Sequence, residues 1–312
     1  VLGPAAPVLT DGLPAPLIHV TQLAPVAARI GAHRATAVPD LPEGQFDVVV
    51  VCLQRNRAQS FGLLSDGLTR LADGGLLVID GQKTDGVDAF LKRLKTAVPM
   101  DGVLSKSHGK IAWGPKPDPM PTLMSDWKAG AAPRQVDGLW TAPGMFSADG
   151  LDPGSALLIA HLPEGAKGRA ADLGAGWGAL SAALLAKAPK LVSLDLIEAD
   201  HAALEAARRN VSDPRARFHW ADATTFDGGD YDLIITNPPF HESRSADPAL
   251  GRAFIQAAAR LLGPKGRFLM VANRQLPYEK TLETSFRQWE QIETTPRYKI
   301  IRASHPLRQR KS

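Results

Sequence analysis

Short apolar runs recur along the second half of the chain, near 169–173, 191–197, 216–220, 231–236 and 266–272, with helical stretches between them. Such runs, bounded by polar turns, predict buried strands, and their alternation with helices predicts a doubly wound α/β sheet. Helix boundaries are legible as well. Asp152-Pro153 pairs a favoured N-cap with proline at the first helical position. Leu157, Leu158 and Leu162 follow at a spacing that suits one face packed on a sheet. A helix is predicted over Ala179–Ala188, and another over His201–Asn210 with Asp200 as its N-cap. The series is expected to close in an antiparallel hairpin.

The first part of the chain repeats this grammar. Phe46-Asp-Val-Val-Val-Val51 and Tyr231-Asp-Leu-Ile-Ile-Thr236 each set an aromatic residue and an aspartate before an apolar run. Leu71-Ala-Asp-Gly-Gly-Leu-Leu-Val-Ile79 matches Leu262-Gly-Pro-Lys-Gly-Arg-Phe-Leu-Met270, and Lys106-Ser-His-Gly-Lys-Ile-Ala-Trp113 parallels Thr295-Pro-Arg-Tyr-Lys-Ile-Ile-Arg302. Three matches in one order, each offset by about 190 residues, predict two copies of one fold. Between them, Gly114-Pro-Lys-Pro-Asp-Pro-Met-Pro121 has proline at alternate positions. Residues 115–138 are therefore expected to form an extended linker between a first domain, 1–114, and a second, 139–312.

Composition changes this picture little. A hydrophobic content of 44% supports two domains with real cores, and 36 Lys and Arg against 32 Asp and Glu leave a charge of only +4. Locally, Arg297, Lys299, Arg302, Arg308, Arg310 and Lys311 share one acid-free stretch. It reads equally as a phosphate-contacting tail or as a solvated frayed terminus. The single cysteine, Cys52, excludes internal disulfides, and at the end of an apolar run it reads as a core residue rather than a nucleophile. No cysteine pair or histidine cluster has metal-ligand spacing, so no metal is expected. The chain starts at Val1 without an initiator methionine, so a few residues are expected to be missing. With no signal peptide and no apolar run long enough to span a bilayer, a cytoplasmic protein is expected.

Candidate chemistry concentrates at strand ends. Asn237-Pro-Pro-Phe240, followed by His241, closes the run 231–236. Two prolines fix φ and supply no backbone N–H, so the turn offers carbonyl oxygens without competing donors. The Asn237 side-chain oxygen and the Pro238 carbonyl can together accept both protons of an exocyclic amino group, while Phe240 offers a face for stacking. Upstream, Asp172-Leu-Gly-Ala-Gly-Trp-Gly178 places alternating glycines between a strand and a helix, where the backbone can approach a ligand closely. The spacing is not that of dinucleotide binders, and Asp172 suits a cationic ligand group better than a pyrophosphate. Glu198 ends the next run, about 20 residues on, where such folds place the acid that binds ribose hydroxyls. Asp195 competes for that role from a poorer position inside the strand, and Asp222 follows the third run, placed to accept from an adenine amino group.

Residues of about 140–305 resemble class I S-adenosylmethionine-dependent methyltransferases, and more closely the bacterial ribosomal RNA guanine-N2 methyltransferases with a methyltransferase small domain. The matching pieces are Pro143-Gly-Met-Phe-Ser-Ala-Asp-Gly-Leu-Asp-Pro-Gly-Ser155, the glycine turn, Asn237-Pro-Pro-Phe-His241, Val271-Ala-Asn-Arg-Gln-Leu-Pro-Tyr278 and Arg297-Tyr-Lys-Ile-Ile-Arg302. Tyrosine in place of Phe240 is usual in relatives acting on adenine N6 or glutamine. The Phe-His form, with the segment from Phe146 to Asp152, points to guanine N2.

The resemblance implies two tandem Rossmann-like methyltransferase domains, the first degenerate, each with a mostly parallel sheet ending in an antiparallel hairpin. It implies S-adenosylmethionine as cofactor, held by Phe146, Asp152, Asp172, Gly174, Ala175, Gly176, Gly178, Glu198, Asp222 and Asn237, with relatives varying at Asp222. Asn237, Pro238 and Phe240 would act on the amine, and Pro239, His241, Arg274 and Tyr278 would meet the substrate. The expected partner is ribosomal RNA, most simply of the small subunit or its precursor, bound by a monomer. The first copy carries Cys52-Leu-Gln-Arg55 where the second has its amine-gripping turn, and residues 1–45 contain no Gly-x-Gly turn after a strand. It is expected to bind neither cofactor nor amine, and to dock RNA through Arg55 and Arg57. A large-subunit RNA, adenine N6 or protein glutamine target stays open, as does a non-catalytic assembly factor.

Overall fold

The structure, a computed structural model, describes residues 1–3, 17–31, 36–239 and 248–307. Phe240, His241, Arg308, Arg310 and Lys311, which carry expectations above, lie outside the described residues. The chain divides into two compact units, Val1–Arg134 with Ala142–Met145, and Gln135–Thr141 with Phe146–Ser312.

The first unit contains β1 (Ile18–Val20), α1 (Ala24–Gly31), β2 (Thr36–Val38), β3 (Phe46–Cys52), α2 (Arg57–Arg70), β4 (Leu71–Gln82), α3 (Val87–Leu94), β5 (Gly102–Lys106), β6 (Gly109–Pro115) and α4 (Met124–Ala131). β4 lies between β3, parallel to it, and β6, antiparallel to it, and β5 closes the edge antiparallel to β6. On the other side Leu2 bridges Val51 of β3 and Val20 of β1, and β1 pairs with β2, all in parallel. The strand order is thus β2, β1, Leu2, β3, β4, β6, β5.

A short ribbon of β7 (Arg134–Val136) and β8 (Leu139–Thr141) precedes the second sheet. The second unit continues with α5 (Pro153–Ala160), β9 (Lys167–Leu173), α6 (Ala179–Lys187), β10 (Lys190–Glu198), α7 (His201–Asn210), β11 (Ala216–Trp220) and β12 (Tyr231–Thr236). Then come α8 (Pro248–Leu261), β13 (Leu262–Asn273), α9 (Glu279–Ser285), β14 (Phe286–Thr294) and β15 (Tyr298–Pro306). Its seven strands run β11-β10-β9-β12-β13-β15-β14, the first five parallel and the last two an antiparallel hairpin on β13. Apolar runs in β12 are continuous because both faces are covered. Ile234 packs into the core under α8 and α9, while Leu233 and Ile235 pack into the core under α5 and α6.

The order of the second sheet is that of the first. The detail agrees too: register shifts fall between Phe46 and Val48 in one and between Tyr231 and Leu233 in the other. Lys83 N–H donates to the His108 carbonyl at 2.9 Å, as Arg274 N–H donates to that of Arg297 at 2.8 Å.

Two expectations need correction. The segment 115–138 is not a linker throughout, because Met124–Ala131 forms α4, with Trp127 buried in the first core at 5.1 Å from Phe61. The prolines end at Pro121, and Met124 and Trp127 then stand three apart, the spacing of one helix face. The basic stretch is likewise largely a strand. Lys299 is buried in β15, donating to Glu279 Oε1 at 2.7 Å and to the Leu276 carbonyl at 2.8 Å, and Arg302 pairs with Glu290. Cys52 is buried, and burial pushes its thiol up to about 12, which leaves it inert.

Candidate active site

The second sheet's register brings three motifs to one level. Leu173, the last residue of β9, pairs with Ile197 of β10 on one side and Thr236 of β12 on the other. The Thr236 hydroxyl also donates to the Leu173 carbonyl at 2.6 Å. Gly174, Glu198 and Asn237 therefore leave the sheet in the same row, at its carboxyl edge. The order of strand addition reverses between β9 and β12, which run parallel, and such a switch point is where open α/β sheets bind ligands.

An open cleft lies there, with ≈ 380 Å³ of empty space that includes open solvent. Gly174, Ala175, Gly176 and Trp177 line one side, Phe146, Ser147, Leu151, Asp152 and Ser155 another, with Ala179, Leu180 and Asn237. Gly176 has φ 56°, and a Cβ there would meet nothing within 4 Å, so this backbone faces open space. Gly178 does not line the cleft. It caps α6 at φ 89°, and a Cβ would stand 2.9 Å from Val211 Cγ2, so it exists for the close approach of α7. The turn is anchored by Glu198, whose Oε2 accepts from Gly176 N–H at 2.7 Å while Oε1 accepts from Asp200 N–H at 2.8 Å. Burial holds the Glu198 carboxyl above its ordinary range, and each oxygen keeps a second lone pair for a ligand.

Phe146, 54% exposed, presents its ring beside the turn, and its carbonyl accepts from Trp177 Nε1 at 3.0 Å. Asn210 ties that corner together, donating to the carbonyls of Trp140 and Trp177 at 2.8 Å each. Asp152 caps α5 as its sequence predicts, with Oδ2 accepting from Ser155 N–H at 2.8 Å. The same Oδ2 accepts from Asn237 Nδ2 at 3.0 Å, and Ser155 Oγ accepts from Nδ2 at 2.8 Å. Pro238 is buried and Pro239 exposed.

Other expected site residues stand elsewhere. Asp172 is not in the cleft: it is fully buried in β9, accepting from Ser181 Oγ of α6 at 2.7 Å. Its Oδ2 is thereby held by the covering helix, while Oδ1 is buried without a hydrogen-bond partner among the described residues. Burial, with the neighbouring Glu198 charge adding to it against the Ser181 hydrogen bond, raises its carboxyl to about 7. The raised value means that the folded state holds a proton the unfolded chain releases. Stability should therefore fall as pH rises from about 4 to about 7, by an amount on the order of 4 kcal/mol in all. Melting curves across that range should show the slope in the wild type and a flatter profile in Asp172→Asn. Equal slopes would remove Asp172 as its source.

Tyr278 is also corrected. It is 0% exposed in the core, so close to α8 that a Cβ on Gly251 would run into its hydroxyl, and it does not line a substrate cleft. Arg274 is exposed on the turn after β13, at the carboxyl edge. Asp222 Oδ1 accepts from Thr224 N–H at 2.8 Å and Oγ1 at 2.7 Å, forming the turn after β11. Asp195 is structural: burial opposes ionisation, but donors from His219 Nε2 at 2.9 Å and Tyr231 OH at 2.7 Å outweigh it and hold the carboxyl below its ordinary range. The sequence reading missed Ser155 and Trp177 as site residues. Ser155 was signalled only by its place three residues after an N-cap, and Trp177 only by standing inside the glycine turn.

Comparison with known proteins agrees with this geometry. The family described as Methyltransferase small domain matches residues 138–302. Ribosomal RNA small subunit methyltransferase C of Salmonella newport (strain SL254) is 32% identical over 265 residues, which cover 82% of this chain and 75% of that protein. The protein of the same name from Salmonella gallinarum (strain 287/91 / NCTC 13346) gives the same identity and shares. A solved structure, the T. Thermophilus 16S rRNA N2 G1207 methyltransferase in complex with AdoMet and guanosine, superposes with a TM-score of 0.77 at 24% identity, over 97% of this chain and 87% of that one. With a doubly wound sheet, a glycine turn braced by a strand-end acid and an Asn-Pro-Pro turn in one cleft, this chain belongs to the methyltransferase small domain family of class I S-adenosylmethionine-dependent methyltransferases.

Proposed function

We propose that this enzyme methylates the exocyclic N2 of a guanine in small-subunit ribosomal RNA, acting as a monomer in the cytoplasm. The observation that carries the reading is the Asn237 side chain. Its Nδ2 is taken up by Asp152 and Ser155, which leaves Oδ1, with the carbonyl of Pro238 next along the chain, to accept from a flat amino group. Support also comes from the relatives, whose names are those of ribosomal RNA small subunit methyltransferases, and from the structural relative, which holds guanosine.

The cleft fits the cofactor. Gly176 leaves space against the backbone, Phe146 offers an apolar ring, and Glu198, at the strand end that braces the glycine turn, offers acceptors for ribose hydroxyls. Asp222 is not among the cleft's lining residues, and its Oδ2, outside the turn that Oδ1 forms, is the acceptor proposed for the adenine amine. S-adenosylmethionine, when bound, supplies a methyl group already activated on a sulfonium. What remains for the protein is orientation and electrostatics. Conjugation with the purine makes the N2 lone pair a poor nucleophile. Acceptance of its two N–H bonds by Asn237 Oδ1 and the Pro238 carbonyl favours a pyramidal nitrogen and stabilises the positive charge that develops there. In this reading Phe240 stacks the base, which must leave any helix it is paired in, and His241 accepts the departing proton or contacts phosphate. Arg274, at the same edge, contacts RNA phosphate. The first unit, with Cys52-Leu-Gln-Arg55 at the end of β3, holds no cofactor and serves as a docking surface and folding partner.

The test is incubation with labelled cofactor and separated ribosomal RNAs and subunits, followed by digestion to nucleosides. Label is expected in N2-methylguanosine from the small-subunit RNA, with calorimetry giving one cofactor per chain. Label in N6-methyladenosine, in large-subunit RNA or in protein would overturn the assignment. A stoichiometry near two would overturn the reading of the first unit.

A further inference from the structure

The anchored Asn237 amide assigns a role to the segment before the glycine turn. We infer that Asp152 and Ser155 are positioning residues that lock the Asn237 amide in the one orientation able to grip the target amine. The inference rests on the proposed role of Asn237 and extends it to residues that never touch the base.

An asparagine amide presents an oxygen and a nitrogen of nearly equal size, and rotation by half a turn exchanges them. In the wrong orientation Nδ2 would meet the target amine donor to donor, and the site could not accept its protons. Here both Nδ2 hydrogens have acceptors, Asp152 Oδ2 at 3.0 Å and Ser155 Oγ at 2.8 Å. Rotation would set Oδ1 against a carboxylate oxygen, which can only accept. The lock therefore acts against the flipped state as well as for the correct one. The anionic partner also draws density through the amide toward Oδ1, strengthening it as an acceptor for a nitrogen gaining positive charge.

The clamp is itself held. Asp152 Oδ2 also accepts from Ser155 N–H at 2.8 Å as the α5 N-cap, so the helix start and the lock share one oxygen. Pro153 sits at the first turn of α5, and a Cβ on Gly154 would stand 2.8 Å from the same Oδ2. The Tyr298 ring packs beside Gly154, and its phenol is raised from its ordinary value, by burial first and then by the Asp152 charge. Asp-Pro-Gly-Ser is thus a built support, whose acid and hydroxyl reach across more than 80 residues of chain to one amide.

Single-turnover methylation of small-subunit RNA tests it. Ser155→Ala should lower the rate about tenfold, the loss of one orienting hydrogen bond, with cofactor affinity and RNA half-saturation within about twofold of wild type. Ser155→Thr, which keeps the hydroxyl, should recover most of the rate. In an Asn237→Ala background Ser155→Ala should cost almost nothing further, because there is no amide left to orient. An undiminished rate in Ser155→Ala, an equal loss in both backgrounds, or a loss carried by cofactor affinity would overturn the lock.

A second measurement is independent of turnover. In protein labelled with ¹⁵N-asparagine, the Asn237 side-chain amide, assigned by its absence in Asn237→Ala, should exchange slowly with water and become faster in Ser155→Ala and Asp152→Asn. Exchange equally fast in all three proteins would overturn the lock even in an active enzyme. Should the methylated product prove not to be N2-methylguanosine, the function reading fails, while amide exchange still decides the lock.

Discussion

Asn237→Ala should slow methyl transfer by about 10²–10³-fold, the effect of removing one preorganised acceptor or donor from a charged transition state. Cofactor affinity should stay within about threefold, because the glycine turn and Glu198 are anchored to each other and not to Asn237. The two effects separate in isothermal titration with the cofactor and single-turnover methylation. The substitution removes the Oδ1 acceptor and also leaves Asp152 and Ser155 without the Nδ2 donor they share. Both acceptors border the open cleft, where water can replace the lost donor, so the fold should persist. A fully active Asn237→Ala protein would sink the assignment of the turn.

Glu198→Ala should weaken S-adenosylmethionine binding by about 2–3 kcal/mol, roughly 30–150-fold. Two contributions add. The proposed acceptor for the ribose hydroxyls is lost, and the N–H groups of Gly176 and Asp200 lose the carboxylate that now fixes them at 2.7 and 2.8 Å. A loosened turn must be ordered again when the cofactor binds, which costs further affinity. Glu198→Gln separates the contributions, since it keeps one acceptor oxygen and the shape of the brace but not the charge. Its affinity should fall between those of wild type and alanine. Unchanged binding in Glu198→Ala would remove this residue from the cofactor site. Asp195 would not be the substitute, because it is buried inside β10, where it holds His219 and Tyr231.

The duplication was legible because it is written in local pattern. Phe46–Val51 and Tyr231–Thr236 carry the same aromatic, acid and apolar order, and that order produces the same strand with the same register shift. Leu2 was not legible as a member of the first sheet. A single bridging residue has no periodicity to read, and only its partners Val51 and Val20 define it. The helix α4 was hidden by the proline run before it, although Met124 and Trp127 already held helical spacing.

At the site, the division follows the range of the interaction. Caps and turns act over a few residues, so Asp152 and Asp200 as N-caps, the glycine turn and the Asn-Pro-Pro turn could be read directly from the chain. The direction of a side chain at a strand end depends on which neighbouring strands flank it and which helix covers it. Asp172 and Tyr278 carry motif-like positions yet point into packed interior, against Ser181 and Gly251. Lys299 reads as part of a basic surface but is neutralised by Glu279, 20 residues earlier. The sequence by itself therefore determined the order of strands and helices, the repeat, and the residue types gathered at the carboxyl edge, since each follows from local propensity and periodicity. Tertiary structure alone decided which of those residues face the cleft and how the Asn237 amide is turned. Those outcomes rest on hydrogen bonds and packing between segments that meet only after the sheet has formed.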